Sequence, residues 1–183
     1  MNSVDPNRIA PIHKSGFVAV IGKPNVGKST LVNAFVGAAV SIVSPKPQTT
    51  RRVIRGILTR PDAQIIFVDT PGMHEPRNAL GEYMVEAAAR ALLEADAVLF
   101  IVDVSKPPRA EDERLAKLIA KRPGIAPVLL AMNKSDRLEP GDVLPNSNAY
   151  RALAPGAAWM LVSAARGDNL DALLPLIVNA LPE

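Results

Sequence analysis

The chain has 183 residues, 48% hydrophobic and 21% charged, which suits one compact domain with a single core. Its net charge of +3 comes from 21 Lys and Arg against 18 Asp and Glu, without a dense basic run, so charge alone does not mark a nucleic-acid binder. There is no cysteine, which excludes disulfides and thiolate metal sites, and no apolar run approaches the length of a membrane span.

Residues 1–15 are polar, carry two prolines and read as a flexible leader rather than a secretory signal; residues 16–183 read as one domain. Residues 17–21 are an apolar run between glycines and predict a buried strand. Residues 29–36 place Leu31, Val32, Phe35 and Val36 at helical spacing. Residues 37–52 form a long loop, of a length that is usually functional. Strands are predicted at 53–59 and 63–68 across a Pro-Asp turn, then at 97–102, 127–132 and 157–162, with Trp159 in the core. Helices are predicted at 80–94, 111–121 and 170–181. This alternation of strands and helices predicts an α/β domain with a mostly parallel sheet. In such sheets ligands bind beyond the carboxyl ends of the strands, so the segments that follow the strands are the ones to read for function.

After the first strand, Gly22-Lys23-Pro24-Asn25-Val26-Gly27-Lys28-Ser29 matches G-x-x-x-x-G-K-[ST] at every fixed position, and Thr30 follows. The glycines let the backbone wrap a phosphate, successive N–H groups point inward, and the next helix adds its positive end. Lys28 supplies a charge toward the β- and γ-phosphates, and the Ser29 hydroxyl is a Mg²⁺ ligand. After the third strand, Asp69-Thr70-Pro71-Gly72 offers a carboxylate for Mg²⁺ through a water and a flexible N–H for a γ-phosphate. Thr50, with Thr49 as the fallback, is the loop hydroxyl that completes the metal shell when the γ-phosphate is present. Lys28, Thr50 and Gly72 are the candidates for positioning and charge stabilisation during hydrolysis.

Asn133-Lys134-Ser135-Asp136 follows the run PVLLAM. The Asp136 carboxylate suits the ring N1–H and exocyclic amino group of guanine, whereas adenine would leave it unpaired at a cost of about 1–3 kcal/mol or more. The Lys134 stem lies over the base, and Asn133 braces neighbouring loops. Ser163, Ala164 and Ala165, after the last strand, bring backbone N–H groups toward the guanine oxygen. Together these segments predict a GTP- and GDP-binding site.

The five segments resemble the Ras-like P-loop GTPase superfamily, and Pro45–Arg51 (PKPQTTR) with Asp69–Met84 (DTPGMHEPRNALGEYM) resemble the Era-type family of bacterial ribosome-assembly GTPases. The resemblance covers residues 15–182. It implies a three-layer P-loop NTPase fold: a mostly parallel six-stranded sheet with one antiparallel edge strand and helices on both faces. It implies slow GTP hydrolysis with Mg²⁺, a potassium ion near Asn25, and a role in maturation of 16S rRNA and the small ribosomal subunit. It also implies a cytoplasmic monomer, with peripheral membrane association left open. Such proteins continue into a KH domain that grips RNA. The chain stops at Glu183, where the GTPase domain would end, so its own binding to RNA is expected to be weak.

Met73 stands where many GTPases place a water-orienting Gln, and a thioether cannot orient water. This leaves a second reading, a nucleotide-gated docking module with negligible hydrolysis, and NKSD disfavours a third, an ATPase. His74 reads as a solvated loop residue. Glu111, Asp112 and Glu113 read as carboxylates that oppose a helix dipole, and Arg51, Arg52 and Arg55 as the rim of a strand.

Overall fold

The computed structural model describes residues 13–37, 53–69, 89, 91–122, 124 and 126–183. The leader before His13, the long loop at 38–52 and most of the helix expected at 80–94 lie outside the described residues. The described elements are β1 (Lys14–Ile21), α1 (Lys28–Val36), β2 (Val53–Thr59), β3 (Ala63–Asp69), β4 (Ala97–Asp103), α2 (Ala110–Lys121), β5 (Val128–Asn133), α3 (Val143–Leu153), β6 (Ala158–Leu161) and α4 (Leu170–Asn179). Single 3₁₀ turns at Ser135–Arg137 and Pro140–Asp142 lead from β5 into α3.

The six strands form one sheet in the order β2-β3-β1-β4-β5-β6. Only β2 and β3 run antiparallel; every other neighbouring pair is parallel. β4 is buried along its whole length up to Asp103 because helices cover the sheet on both sides. Side chains alternate between two cores. Val18, Val20, Phe67, Leu99 and Ile101 pack with Leu31 and Val32 of α1 and with Leu173 and Ile177 of α4. Ala19, Ile21, Phe100, Val102 and Met132 pack on the other face with Leu115 and Ile119 of α2 and Tyr150 of α3. The result is the three-layer α/β arrangement expected from the resemblance, including the antiparallel edge strand.

Four features differ from the sequence expectations. β1 begins at Lys14, so Lys14 and Ser15, read as leader, belong to the sheet; the Lys14 N–H donates to the Asp62 carbonyl at 3.1 Å. α3 was not expected, because VLPNSNAYRAL puts a proline in the first turn and three Asn or Ser residues in the body, and buries only Asn146, Ser147 and Tyr150. Trp159 is not core: it lies on the edge strand β6, 42% exposed, with the Arg151 guanidinium 4.7 Å above its ring. Asp112 stands in the first turn of α2, where a carboxylate opposes the helix dipole as expected, but its complete burial was not foreseen.

Gly16 is tightly enclosed at the sheet floor. A Cβ there would lie 2.7 Å from Asp96 Oδ2 and 3.0 Å from Leu181 Cδ2. The same Asp96 oxygen accepts the Phe17 N–H at 2.7 Å, so it cannot retreat without losing that bond. Gly16→Val is therefore expected to lower stability by about 1–3 kcal/mol. Urea unfolding measures it, and an unchanged midpoint would show that Asp96 and Leu181 yield freely.

Candidate nucleotide site

The segment between β1 and α1 has the backbone that its glycines foretell. Asn25 (φ 63°) and Gly27 (φ 101°) are left-handed. Gly22 is pressed against the Ile101 carbonyl, and a Cβ on Gly27 would run into the Asn133 amide nitrogen. Helix α1 opens at Lys28, and its N-cap is Gly27, with no side-chain capping bond and no acidic residue in the first turn. Its positive end thus opens onto the phosphate loop with no carboxylate in its own first turn. The Lys28 ammonium is largely buried and donates to the carbonyls of Gly22 at 2.8 Å and Lys23 at 2.9 Å. Val26 is buried, whereas Ser29 and Thr30 are exposed on the first turn of α1.

Asp69 closes β3 in register with Val20, two residues before Gly22. Its backbone is fixed beside the phosphate loop; its side chain lies outside the described residues. So do Thr49, Thr50, Gly72, Met73 and His74.

Asn133 closes β5 and is only 2% exposed. Its Nδ2 donates to the Val26 carbonyl at 2.8 Å, and its Oδ1 accepts the Ala164 N–H at 2.9 Å. One amide thus ties the phosphate loop to the loop after β6. Ala164 was expected to present its N–H to a base; in this structure that N–H is given to Asn133, while Ala165 is exposed.

Lys134 turns the chain in a left-handed conformation (φ 65°) and donates from Nζ to Asp103 Oδ2 at 2.7 Å. Asp103 Oδ1 accepts the Ser105 hydroxyl at 2.6 Å and the Ser105 N–H at 3.2 Å. Burial alone would raise the Asp103 carboxyl, but the Lys134 ammonium and the Ser105 donors outweigh it and hold the group below the usual carboxylate range. Asp136 Oδ1 accepts the Ser163 hydroxyl at 2.6 Å, and that bond, against a smaller opposing effect of burial, likewise holds Asp136 low and ionised. The Ser163 oxygen in turn accepts the Arg166 N–H at 3.2 Å, so a wholly buried serine orients the carboxylate expected to read the base.

The motifs did not reveal Asp103 or Asp112. Asp103 had a legible signal: it ends the run AVLFIV as Asp69 ends AQIIFV, and the register sets it beside Asn133. Its lowered carboxyl stabilises the loop fully above the ordinary carboxylate range, and that contribution disappears as pH falls through the lower folded value. Asp103→Asn should therefore weaken nucleotide binding roughly two- to fivefold at neutral pH and shrink the acid-side loss of affinity, measured by calorimetry from pH 7 down to 4.

This geometry has counterparts among known proteins. The sequence model of the family described as 50S ribosome-binding GTPase matches residues 17–134. The chain is 45% identical over 170 residues to GTPase Era of Geobacter metallireducens, across 93% of this chain and 56% of that protein. It is also 45% identical to Era solved in complex with MgGDPNP and nucleotides 1506-1542 of 16S ribosomal RNA, with a TM-score of 0.74 over 93% of this chain and 58% of that one. A variant of Aquifex aeolicus Era bound to GDP·AlF4− is 42% identical, with a TM-score of 0.71 over the same shares. The chain thus spans a little over half the length of the Era proteins it matches. With its phosphate loop, braced base-reading loops and sheet order, the chain belongs to the 50S ribosome-binding GTPase family, as a GTPase domain of the Era type.

Proposed function

We propose that this chain binds GTP and GDP across the loop tips of its sheet, hydrolyses GTP slowly, and acts as a switch in assembly of the small ribosomal subunit. The observation that carries this reading is the Asn133 amide, which joins the Val26 carbonyl of the phosphate loop to the Ala164 N–H beside Asp136. Such a brace sets the distance between a phosphate-binding end and a base-binding end, as one nucleotide spanning both would require. Era in complex with MgGDPNP supports the same assignment for a relative.

The nucleotide-binding residues are Asn25 to Thr30 at the phosphates, Asp69 and Gly72 toward the γ-phosphate, and Asn133, Lys134, Asp136 and Ser163 to Ala165 at the base. Lys28 now rests on two loop carbonyls, and a triphosphate offers its ammonium stronger, anionic acceptors in the same cradle. For Ala164, the N–H would be shared between Asn133 and the guanine oxygen. Mg²⁺ suits hard oxygen donors, and we assign it the Ser29 hydroxyl on α1, the carboxylate of Asp69 through a water, at the end of β3 next to β1, and the Thr50 hydroxyl. When bound, the ion neutralises charge that develops on the phosphate oxygens. The remaining work belongs to the chain: Lys28 and the α1 N-terminus stabilise charge, and the Gly72 N–H holds the γ-phosphate. Asn25, exposed and left-handed, is the residue proposed to meet a potassium ion.

The role in ribosome assembly concerns the whole protein. The solved relative holds 16S RNA, from the small subunit, whereas the family description names the 50S particle. The likeness to Era extends over 93% of the chain at 45% identity, and we assign the small subunit on that ground. Among the described residues no helix is long and apolar enough to cross a membrane.

Calorimetry with Mg²⁺ should show GTP and GDP binding far more tightly than ATP, and equal affinity for ATP would refute the reading. Met73 favours the second reading, a docking module with negligible hydrolysis. Single-turnover assays with Mg²⁺ and potassium decide between them: a rate above that of GTP in buffer supports a GTPase, and an equal rate selects the docking module.

A further inference from the structure

Lys23 is the second residue of the phosphate loop, yet its ammonium is bound to Asp112 Oδ2 of α2 at 2.6 Å. Both side chains are withdrawn from water, at 14% and 1% exposure. Asp112 is the N3 residue of α2, and the same Oδ2 caps that helix by accepting the Arg109 N–H at 2.9 Å. Its other oxygen is buried with no hydrogen-bond partner among the described residues. A carboxylate so placed depends on its cation, because the pair offsets a desolvation cost that neither group could bear alone.

The consequence lies one bond further along. The carbonyl of Lys23 accepts the Lys28 ammonium at 2.9 Å, beside the Gly22 carbonyl at 2.8 Å. A loop tethered by its side chain to a helix N-terminus has a fixed carbonyl at the same residue. That carbonyl aims the lysine that crosses the loop. We propose that Asp112 is a positioning residue for Lys28, acting through Lys23: the buried ion pair fixes the backbone at residue 23 so that Lys28 is held where the phosphates arrive. This deepens the functional reading above and rests on its premise that the loop holds a nucleotide. It also gives the acidic cluster at 111–113 a division of labour, since Glu111 and Glu113 are exposed and only Asp112 faces inward.

The test compares the chain with Lys23→Arg, Lys23→Met, Asp112→Asn and the double variant Lys23→Met/Asp112→Asn. GDP affinity, GTP-over-ATP preference and urea stability are measured on each. Losing an aimed, charged hydrogen bond corresponds to about a tenfold fall in GDP affinity. That fall is expected in both single neutral variants with base preference unchanged, while Lys23→Arg stays close to the parent. The double variant is decisive, because removing both charges relieves the buried ion and should recover stability. A positioning role predicts that its GDP affinity stays low despite that recovery. Parental GDP affinity in the double variant, or affinity that tracks stability across the series, overturns the proposal. If the parent itself takes up no guanine nucleotide, the functional reading fails first, and this inference with it.

Discussion

Asn133→Ala should weaken GDP and GTP binding by roughly 30- to 1,000-fold while the sheet remains folded. The amide bonds both the phosphate loop and the loop after β6. Its removal leaves the Val26 carbonyl and the Ala164 N–H without their partners inside the protein. Each unsatisfied buried group costs about 1–3 kcal/mol, and partial entry of water brings the sum to about 2–4 kcal/mol. The loss should fall on binding more than on folding, because both partners lie in loops and not in the ladders of the sheet. Gly27 adds to the effect: its backbone sits against the Asn133 amide so closely that no Cβ fits between them. Calorimetric titration with GDP, paired with urea unfolding, separates the two effects. Full affinity in the folded variant would mean that the loops hold their spacing without the amide.

Exchange of the base-reading carboxylate should alter choice rather than strength alone. Asp136→Asn replaces one acceptor oxygen with an N–H₂ donor, so it no longer accepts from both guanine donors. Guanine affinity should fall by about 2–3 kcal/mol, or roughly 30- to 150-fold. A purine with a carbonyl in place of the exocyclic amino group, as in xanthine, complements the new donor, and xanthosine diphosphate should gain over the parent. Ser163 takes part in this selectivity because its hydroxyl is bonded to Asp136 Oδ1 at 2.6 Å. Competition of GDP, ADP and xanthosine diphosphate on the parent and the variant measures the exchange. An unchanged order of preference would remove Asp136 from the base-reading role.

The phosphate-loop and NKSD motifs were legible in the sequence because each is contiguous. Gly22 to Ser29 is one unbroken motif, and the positive φ at Gly27 suits a residue without a Cβ, although Asn133 and Asp112 brace the loop from afar. The strands were legible as apolar runs because a parallel sheet buries both faces. What stayed hidden depends on contacts between distant positions. Lys23 meets Asp112 across 89 residues, and Lys134 meets Asp103 across 31. No periodicity encodes such a meeting. Asp112 even sits where a helix-dipole explanation is locally sufficient, so its inward turn becomes visible only once α2 is packed beside β1. Helix α3 was obscured by Pro145, Asn146, Ser147 and Asn148, two of which it buries. Its work is partly polar: Asn146 donates to the Val104 carbonyl at 3.0 Å, and Tyr150 donates to the Asp103 carbonyl at 3.1 Å. Burial, with the Asp112 and Asp103 carboxylates nearby, pushes the Tyr150 hydroxyl far above its ordinary range, so it serves as a neutral donor to that turn. The chain hides the buttress of the Lys134 clamp in a segment whose composition reads as loop.

The exposed Trp159 supplies an intrinsic optical reporter. It is the lone indole in the chain, so ultraviolet emission near the tryptophan maximum arises from a single site. Four residues of nearly extended chain separate it from Ser163, about 13 Å, so ligand capture at the loop tips should leave its spectrum almost unperturbed. Its stacked guanidinium neighbour comes from α3, which couples the signal to docking of that helix on the sheet rim. A melt followed by this fluorophore therefore tracks detachment of the β6 border, and a second probe at the phosphate end would reveal whether the two margins of the sheet come apart together.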